Sequence, residues 1–240
     1  MVLLLAVEGG YRLAGYRLRH AAAHEQAGHV LALVTTTMGL LALVLAFTFS
    51  FAAGRFEARK QVLVDEANAV ETTYLRAGLL PGDRGGKVRA MLRDYVDVRL
   101  DAVQFDHVEQ ALQRSEELHR ELWKEAEAAG REQPDSVVVG LFIEAVNRTI
   151  ELHAMRVKVA VRGALPGALW AALYAVAILN LMAVGYHAGL VNTPRSPTLV
   201  TLVLSLSVVM MLTADLDHPQ EGALTVSQQA MIDLRRKMGD

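Results

Sequence analysis

Two groups of polar residues in this 240-residue chain have the types and spacing for chemistry. The first lies in VDEANAVETTYLR (Val64 to Arg76), which sets Asp65, Glu66, Asn68 and Glu71 within two helical turns. Carboxylates this close can hold a cation, pair with basic side chains, or order a hydrogen-bonded layer. A basic counterpart occurs in NRTIELHAMR (Asn147 to Arg156), which carries His153 and Arg156. The second group is Asp215, Asp217, His218 and Glu221, an oxygen-rich set of the kind hard cations take. A D-x-D pattern is common, and its plainer reading is a salt-bridge collar with Arg55, Arg59 and Arg162.

The elements that must position these residues follow from segregation of apolar and charged residues. The chain is 52% hydrophobic yet 21% charged, with a mean hydropathy of +0.26. Apolar runs lie near both ends and charge fills the middle, which argues for membrane spans flanking a water-exposed helical part. Val30 to Ala53 holds no charge over 24 residues, roughly 36 Å as a helix and enough to cross a ~30 Å hydrocarbon core. Residues 165–190 form a second span, with Pro166 at its start and Trp170 and Tyr186 near its two ends. Residues 198–214 form a third, and the NTPRSP turn between the last two makes them a hairpin. MVLLLAV is too short to span and soon meets Glu8, Arg12 and Arg17. It reads either as the end of a fourth span that the sequence enters partway or as an interfacial helix.

The expected fold class is therefore all-α, an integral membrane protein of about three transmembrane helices with an extramembrane helical domain. Its divisions are 1–29 (N-terminal helix and basic loop), 30–53 (span), 54–164 (helical domain), 165–190 (span), 198–214 (span) and 215–240 (C-terminal tail). Within the domain, periodicity predicts a helix continuing from the first span to about Leu80, ended by PGDRGG. A second runs from about Lys87 to Ala129 with a break near Phe105 or Ser115, and a third from about Val137 to Arg162, capped by Asp135 or Ser136. Leu63, Ala67, Val70 and Tyr74 form one expected core stripe, and Val138, Leu141, Ala145 and Leu152 another.

This layout places the polar groups. The first domain helix leaves the membrane near Ala53 and the third returns near Leu165. If they are antiparallel, residues equally distant from the membrane lie level, so Asp65 and Glu66 meet His153 and Arg156, about 18 Å out by helical rise. Asn68 then falls near Ile150 and Glu151. The layer Asp65, Glu66, Asn68, His153 and Arg156 reads either as a register-fixing ion-pair layer or as a functional polar site.

Composition removes several function classes. Net charge is -2, so nothing polybasic points to nucleic acid. There is no cysteine, hence no disulfide, thiolate metal site or cysteine nucleophile. GDRGG lacks the Lys-Ser/Thr of a phosphate loop, and no Ser-His-Asp set can be placed. No enzyme activity and no cofactor are expected. Gly185-x-x-x-Gly189 could allow close helix packing, though it falls at a span's end. Asn180, mid-span, should face protein or a pore rather than lipid.

Three stretches, FTFSFAAGRFEARKQVLVDEANAVETTYLRAGLLP (Phe47 to Pro81), IELHAMR (Ile150 to Arg156) and DLDHPQEG (Asp215 to Gly222), resemble the bacterial bestrophin-like family of membrane proteins. The likeness covers nearly all of the chain after residue 30, and D-E-A-N and D-L-D-x-P-x-x-G are its most specific parts. Family members have a full span before the basic loop, so this N-terminus departs from the pattern. The resemblance implies four spans, a helical domain between the second and third, and an oligomeric anion pore.

Three functions follow as expectations. One is an oligomeric ion channel whose first span lines a pore, with Thr35 to Thr37, Phe47, Phe49 and Phe51 at its narrow part and Arg55 and Arg59 setting charge selectivity. Another is a non-conducting scaffold or sensor that binds a protein partner through the charged run Glu116 to Arg131. The third is a membrane-face metal enzyme built on Asp215, Asp217 and His218, or on Asp65, Glu66 and His153. The expected setting is the bacterial inner membrane, multi-pass, with the lipid bilayer and other copies of the chain as partners. Arg55, Arg59, Lys60, Arg156, Lys158 and Arg162 lie on the domain's side, against Arg12, Arg17, Arg19 and Arg195 on the other, which expects a cytoplasmic domain.

Overall fold

The computed structural model describes residues 1–20, 27–105, 108–162, 165–193, 197–217 and 224–239, without the side chains of 103–105 and 160–162. The described residues form eight helices and no strand: α1 (Val2–His20), α2 (Ala27–Ala77), α3 (Arg84–Phe105), α4 (Val108–Glu132), α5 (Val137–Arg162), α6 (Gly167–Leu190), α7 (Pro197–Asp217) and α8 (Gln229–Met238). α2, α6 and α7 are long and apolar enough to cross a membrane. The chain divides into two units, Met1–Phe56 with Ala164–Leu224, and Glu57–Gly163 with Thr225–Asp240.

In the first unit, α1, α2, α6 and α7 share a core that includes Leu3, Leu41, Leu45, Leu173, Leu181, Val203 and Met210. Between lipid-like surfaces the drive to associate is close packing rather than hydrophobic transfer, so small residues matter most. A Cβ on Gly185 would stand 2.0 Å from the Val7 carbonyl oxygen, and one on Gly10 1.9 Å from that of Met182. Gly189 meets Ala14 and Tyr11 in the same seam. The Gly185/Gly189 pair thus packs α6 on α1. α6 ends where Asn192 takes φ 51, with Thr193 and Asn192 N–H donating to the Ala188 and Gly189 carbonyls at 3.0 and 3.2 Å. That is a Schellman ending, and asparagine tolerates the left-handed backbone it requires. The middle of the NTPRSP turn lies outside the described residues.

In the second unit, the Glu57–Ala77 part of α2 packs with α3, α4, α5 and α8 around Val70, Val88, Leu92, Tyr95, Leu118, Leu122, Phe142, Val146 and Met231. α2 ends ahead of Pro81 and Gly82, whose φ of 64 only glycine takes easily. The expected second domain helix corresponds to α3 and α4, described up to Phe105 and from Val108; of the two expected break points, Ser115 lies inside α4, and residues 106–107, next to Phe105, lie outside the described residues. Ser136 caps α5 by accepting from the Val139 N–H at 3.4 Å. Leu63, Ala67 and Val70 of the α2 stripe are buried and Tyr74 is half-buried; in α5 the expected Ala145 and Leu152 are buried, but the start of the stripe is rotated. Val139, Phe142 and Val146 are buried while Val138 and Leu141 are exposed. Three consecutive valines, 137–139, leave the period ambiguous at that end, and packing chose among them.

The C-terminal tail also does more than sequence suggested. α8 buries Met231, Leu234 and Met238 in the second unit's core, each worth roughly 1.5–3 kcal/mol relative to exposure. It is fastened by Lys237 on Glu71 at 2.9 Å, Arg235 on Asp97 at 2.6 Å, and the Tyr74 hydroxyl donating to the Met238 carbonyl at 2.9 Å.

The α1–α6 seam can be tested directly. Gly185→Val forces a side chain against Val7 backbone that cannot yield, and should cost about 1–3 kcal/mol or more. Gly54→Ala meets nothing within 4 Å and should leave thermal unfolding of the detergent-purified protein unchanged or slightly raised. Equal melting temperatures for the two variants would rule the seam out as a determinant of stability.

Candidate functional site

The second unit's core contains a cluster of charged and polar side chains. Glu66 is fully buried. It sits on the face of α2 shared with Leu63, Ala67 and Val70, so helical geometry turns it into the core along with them. Arg156 of α5 donates through Nη1 to Glu66 Oε2 at 2.5 Å and through Nη2 to Gln228 Oε1 at 3.0 Å. Tyr95 of α3 donates its hydroxyl to Glu66 Oε1 and lies 2.9 Å from His153 Nδ1. A carboxylate only accepts, so the single Tyr95 hydrogen goes to Glu66 and the Tyr95 oxygen accepts from a protonated His153 Nδ1. The result is a directed chain, His153 to Tyr95 to Glu66. His119 of α4 closes the group, edge-on to His153 with ring centroids 4.6 Å apart and 5.0 Å from the Tyr95 ring.

The electrostatics follow from burial and pairing. Burial alone would raise the Glu66 carboxyl. His153 at 3.6 Å, the charges of Arg156 and Arg99, and the Tyr95 hydrogen bond outweigh it and hold the group down at about 2. Burial, then the neighbouring carboxylate, pushes the Tyr95 hydroxyl well above its ordinary value. Burial, helped by His153 and Arg99 and opposed by Glu66, lowers His119 to about 4. Burial lowers Arg99, with Arg156 adding to it. Near neutral pH the cluster therefore holds an ionised Glu66 and an uncharged His119.

Each residue expected at a site has a place. Glu66, His153 and Arg156 come together, and their register is antiparallel along α2 and α5. Thr73 meets Thr149 at 2.9 Å further from the membrane-length segment, and Arg76 reaches the Leu141 carbonyl at 2.5 Å beyond that. Asp65 and Asn68 are not in the buried cluster. Asp65 accepts from Gln61 at 2.9 Å, and both line an open surface groove with Thr72, Arg76, Glu144 and Arg148. One hundred degrees of helical rotation separates Asp65 from Glu66 and accounts for the difference. Tyr95, Arg99, His119 and Gln228 were missed. Tyr95, Arg99 and His119 are each one polar residue in a helix face that also carries apolar residues, a pattern that does not distinguish a site from a tolerated surface position, and Gln228 lies in the segment just ahead of α8 where no periodicity marks it.

In the first unit, Asp217 is buried at 1% exposure. Its Oδ1 and Oδ2 accept from the Leu165 N–H at 2.8 and 3.1 Å, and Oδ2 accepts from Trp170 Nε1 at 3.2 Å. A carboxylate from the last turn of α7 thus serves the N–H groups at the start of α6, where the helix dipole favours negative charge. Asp215 accepts from the Leu224 N–H at 3.3 Å. Arg55 and Arg59 lie on α2 and are both half-buried. The Arg162 side chain, His218 and Glu221 lie outside the described residues. Among the described residues, no group of three His, Asp or Glu side chains is placed to hold a metal ion.

Glu66→Gln should cost about 3–5 kcal/mol, because it leaves the buried Arg156 charge uncompensated. Stability should also fall on acidification. His119 is lowered from 6.5 to about 4 and Glu66 from 4.5 to about 2, so the unfolded chain binds more protons in both windows. Their contributions are complete above about pH 6.5 and 4.5 respectively, and each is lost as pH falls through the lower, folded value. Thermal unfolding from pH 7 to pH 3 checks this. A melting temperature that stays flat below pH 6, or a Glu66→Gln variant as stable as the parent, would contradict it.

Comparison with known proteins gives this geometry its relatives. A family model described as a bestrophin-like domain matches residues 2–231. No curated protein matches the chain. Among solved structures, a single-substitution form of the bacterial bestrophin homologue from Klebsiella pneumoniae superposes with a TM-score of 0.70 at 16% identity, over 100% of this chain and 98% of that one. The same homologue solved by Zn-SAD phasing gives 0.73 at 14% identity, covering 99% and 96%. A structure described as a substituted membrane protein gives 0.74 at 15% identity with the same coverage. At these identities the superpositions speak for a shared fold, and with the family match spanning nearly the whole sequence, the chain belongs to the bestrophin-like family of membrane proteins.

Proposed function

We propose that the protein is an oligomeric anion channel of the bacterial inner membrane, with α2 lining the passage and the helical domain on the cytoplasmic side. The observation that carries this is the outward face of α2 in the first unit. Leu40, Leu43, Phe47 and Phe51 are 55%, 53%, 58% and 62% exposed, while Leu41, Leu45 and Ala52 on the adjoining face are buried. These four follow one helical stripe, so copies arranged around an axis would stack rings of apolar side chains, and such rings gate by dewetting. Family membership supports the same reading. The threonines are less suited to contact ions. Thr35 and Thr36 hydroxyls donate to the Leu31 and Ala32 carbonyls at 2.9 Å, and Thr37 donates to Val34 at 3.1 Å.

On this reading no residue is catalytic. Arg55, at the end of the apolar segment, is the charge that favours anions, and Phe47 and Phe51 set the constriction. The scaffold reading retains one observation. The outer face of α4 presents Glu116, Glu117, Arg120, Glu121 and Lys124 to solvent, a surface a protein partner could use.

Chloride efflux from liposomes holding the purified protein decides between the two. A channel releases chloride, Phe47→Ala or Phe51→Ala increases the rate by widening an apolar ring, and Arg55→Ala lowers chloride-over-potassium preference. No release from protein shown to be folded and oligomeric would overturn the channel and leave the scaffold.

A further inference from the structure

We propose that the second unit holds a binding site for a small organic carboxylate with a short apolar tail, in the groove between α4 and α5. This does not depend on conduction. The argument begins with charge inside the domain. Among the described residues the cluster contains one carboxylate, Glu66, and two guanidinium groups, Arg156 and Arg99. Arg156 is satisfied by Glu66 and Gln228. Arg99 is only 8% exposed and makes no ion pair or hydrogen bond to a described residue. Its Nε is buried without a partner. A buried cation in excess, with an unused N–H, is costly unless an anion compensates it.

The second unsatisfied atom lies at a groove that Arg99 does not itself line, so Arg99 acts on an anion there through its field rather than by contact. His119 is 6% exposed and its Nε2 is also buried without a partner. His119 interacts electrostatically with both Glu66 and Arg99, and it lines a groove of roughly 730 Å³. With the imidazole uncharged, the tautomer that carries its hydrogen on Nε2 presents one donor there, and it is the tautomer an anion selects. Ile150, Ala154 and Val157 of α5 supply an apolar wall, His153 stands beside them, and Arg120 and Lys158 stand at the groove with a single acid, Glu116. The lining therefore combines a buried donor, an excess of positive charge and an aliphatic strip. A carboxylate head meets the donor and the cations, and a tail of a few carbons covers the strip. An inorganic anion would leave the strip exposed.

The test uses the full-length protein in detergent and butyrate, acetate and chloride as potassium salts at matched ionic strength. Butyrate should raise the melting temperature saturably, as a ligand of the folded state does, and acetate should do so less effectively. Lys158→Ala is an exposed change that leaves the core intact, and it should weaken apparent butyrate affinity about tenfold, the scale of one hydrogen bond to a charged group. His119→Gln should weaken it at least as much, with circular dichroism confirming the fold. No saturable rise with butyrate, an unchanged affinity in Lys158→Ala, or chloride acting as well as butyrate would each overturn the assignment.

Discussion

A fully buried carboxylate, Glu66, is the constraint on which the second unit depends. A charge with no exposure must be paired and hydrogen-bonded, or it neutralises. Glu66 meets that requirement with groups from two other elements: Tyr95 of α3, and His153 and Arg156 of α5, with Arg156 also reaching Gln228 just ahead of α8. A hydrophobic surface would tolerate sliding by a turn. A salt bridge at 2.5 Å does not, so the α2–α5 register is set at one point and the valines and leucines on either side pack accordingly. The Thr73–Thr149 contact two turns along α2 is a neutral echo of the same pairing.

The first unit is built on a different balance. Its helices carry apolar side chains both inward and outward, so hydrophobicity cannot say which face meets which neighbour. Shape decides instead. Gly10, Gly185 and Gly189 let α1 and α6 backbones approach to distances no other residue permits, and Asp217 fixes the start of α6 through two N–H donors. The outward stripe Leu40, Leu43, Phe47 and Phe51 is left over once these contacts are made. An apolar stripe that the chain does not cover is the feature that makes lipid, or further copies around a passage, part of the functional argument.

The two units also treat polar residues differently. Asn180 in α6 is 4% exposed, and its own helix serves only half of its amide: Nδ2 donates to the Val176 carbonyl at 3.0 Å, while Oδ1 is buried with no partner among the described residues. In the second unit the polar groups are shared between helices, and the sharing leaves two donors or acceptors, on Arg99 and His119, over. That surplus beside a groove is what distinguishes the cluster from a purely register-fixing layer.

Sequence by itself determined what is local or periodic. The uncharged run from Val30 to Ala53, the PGDRGG stop and the glutamine-proline turn before Ser136 fix helices and spans through length, charge and backbone chemistry that need no partner. The Glu66–Arg156 pairing was also legible, because antiparallel helices counted from matching ends bring residues at equal distances along them level. Tertiary structure decided the rest. Asp65 and Glu66 are equivalent by type and differ only in the face that packing selects. Tyr95, Arg99 and His119 join the cluster because α3 and α4 dock there, α8 finds its core only once that core exists, and Gly185 matters only because Val7 backbone lies against it. A sequence states what each residue can do, and its neighbours across space, which no local pattern encodes, settle which of those things it does.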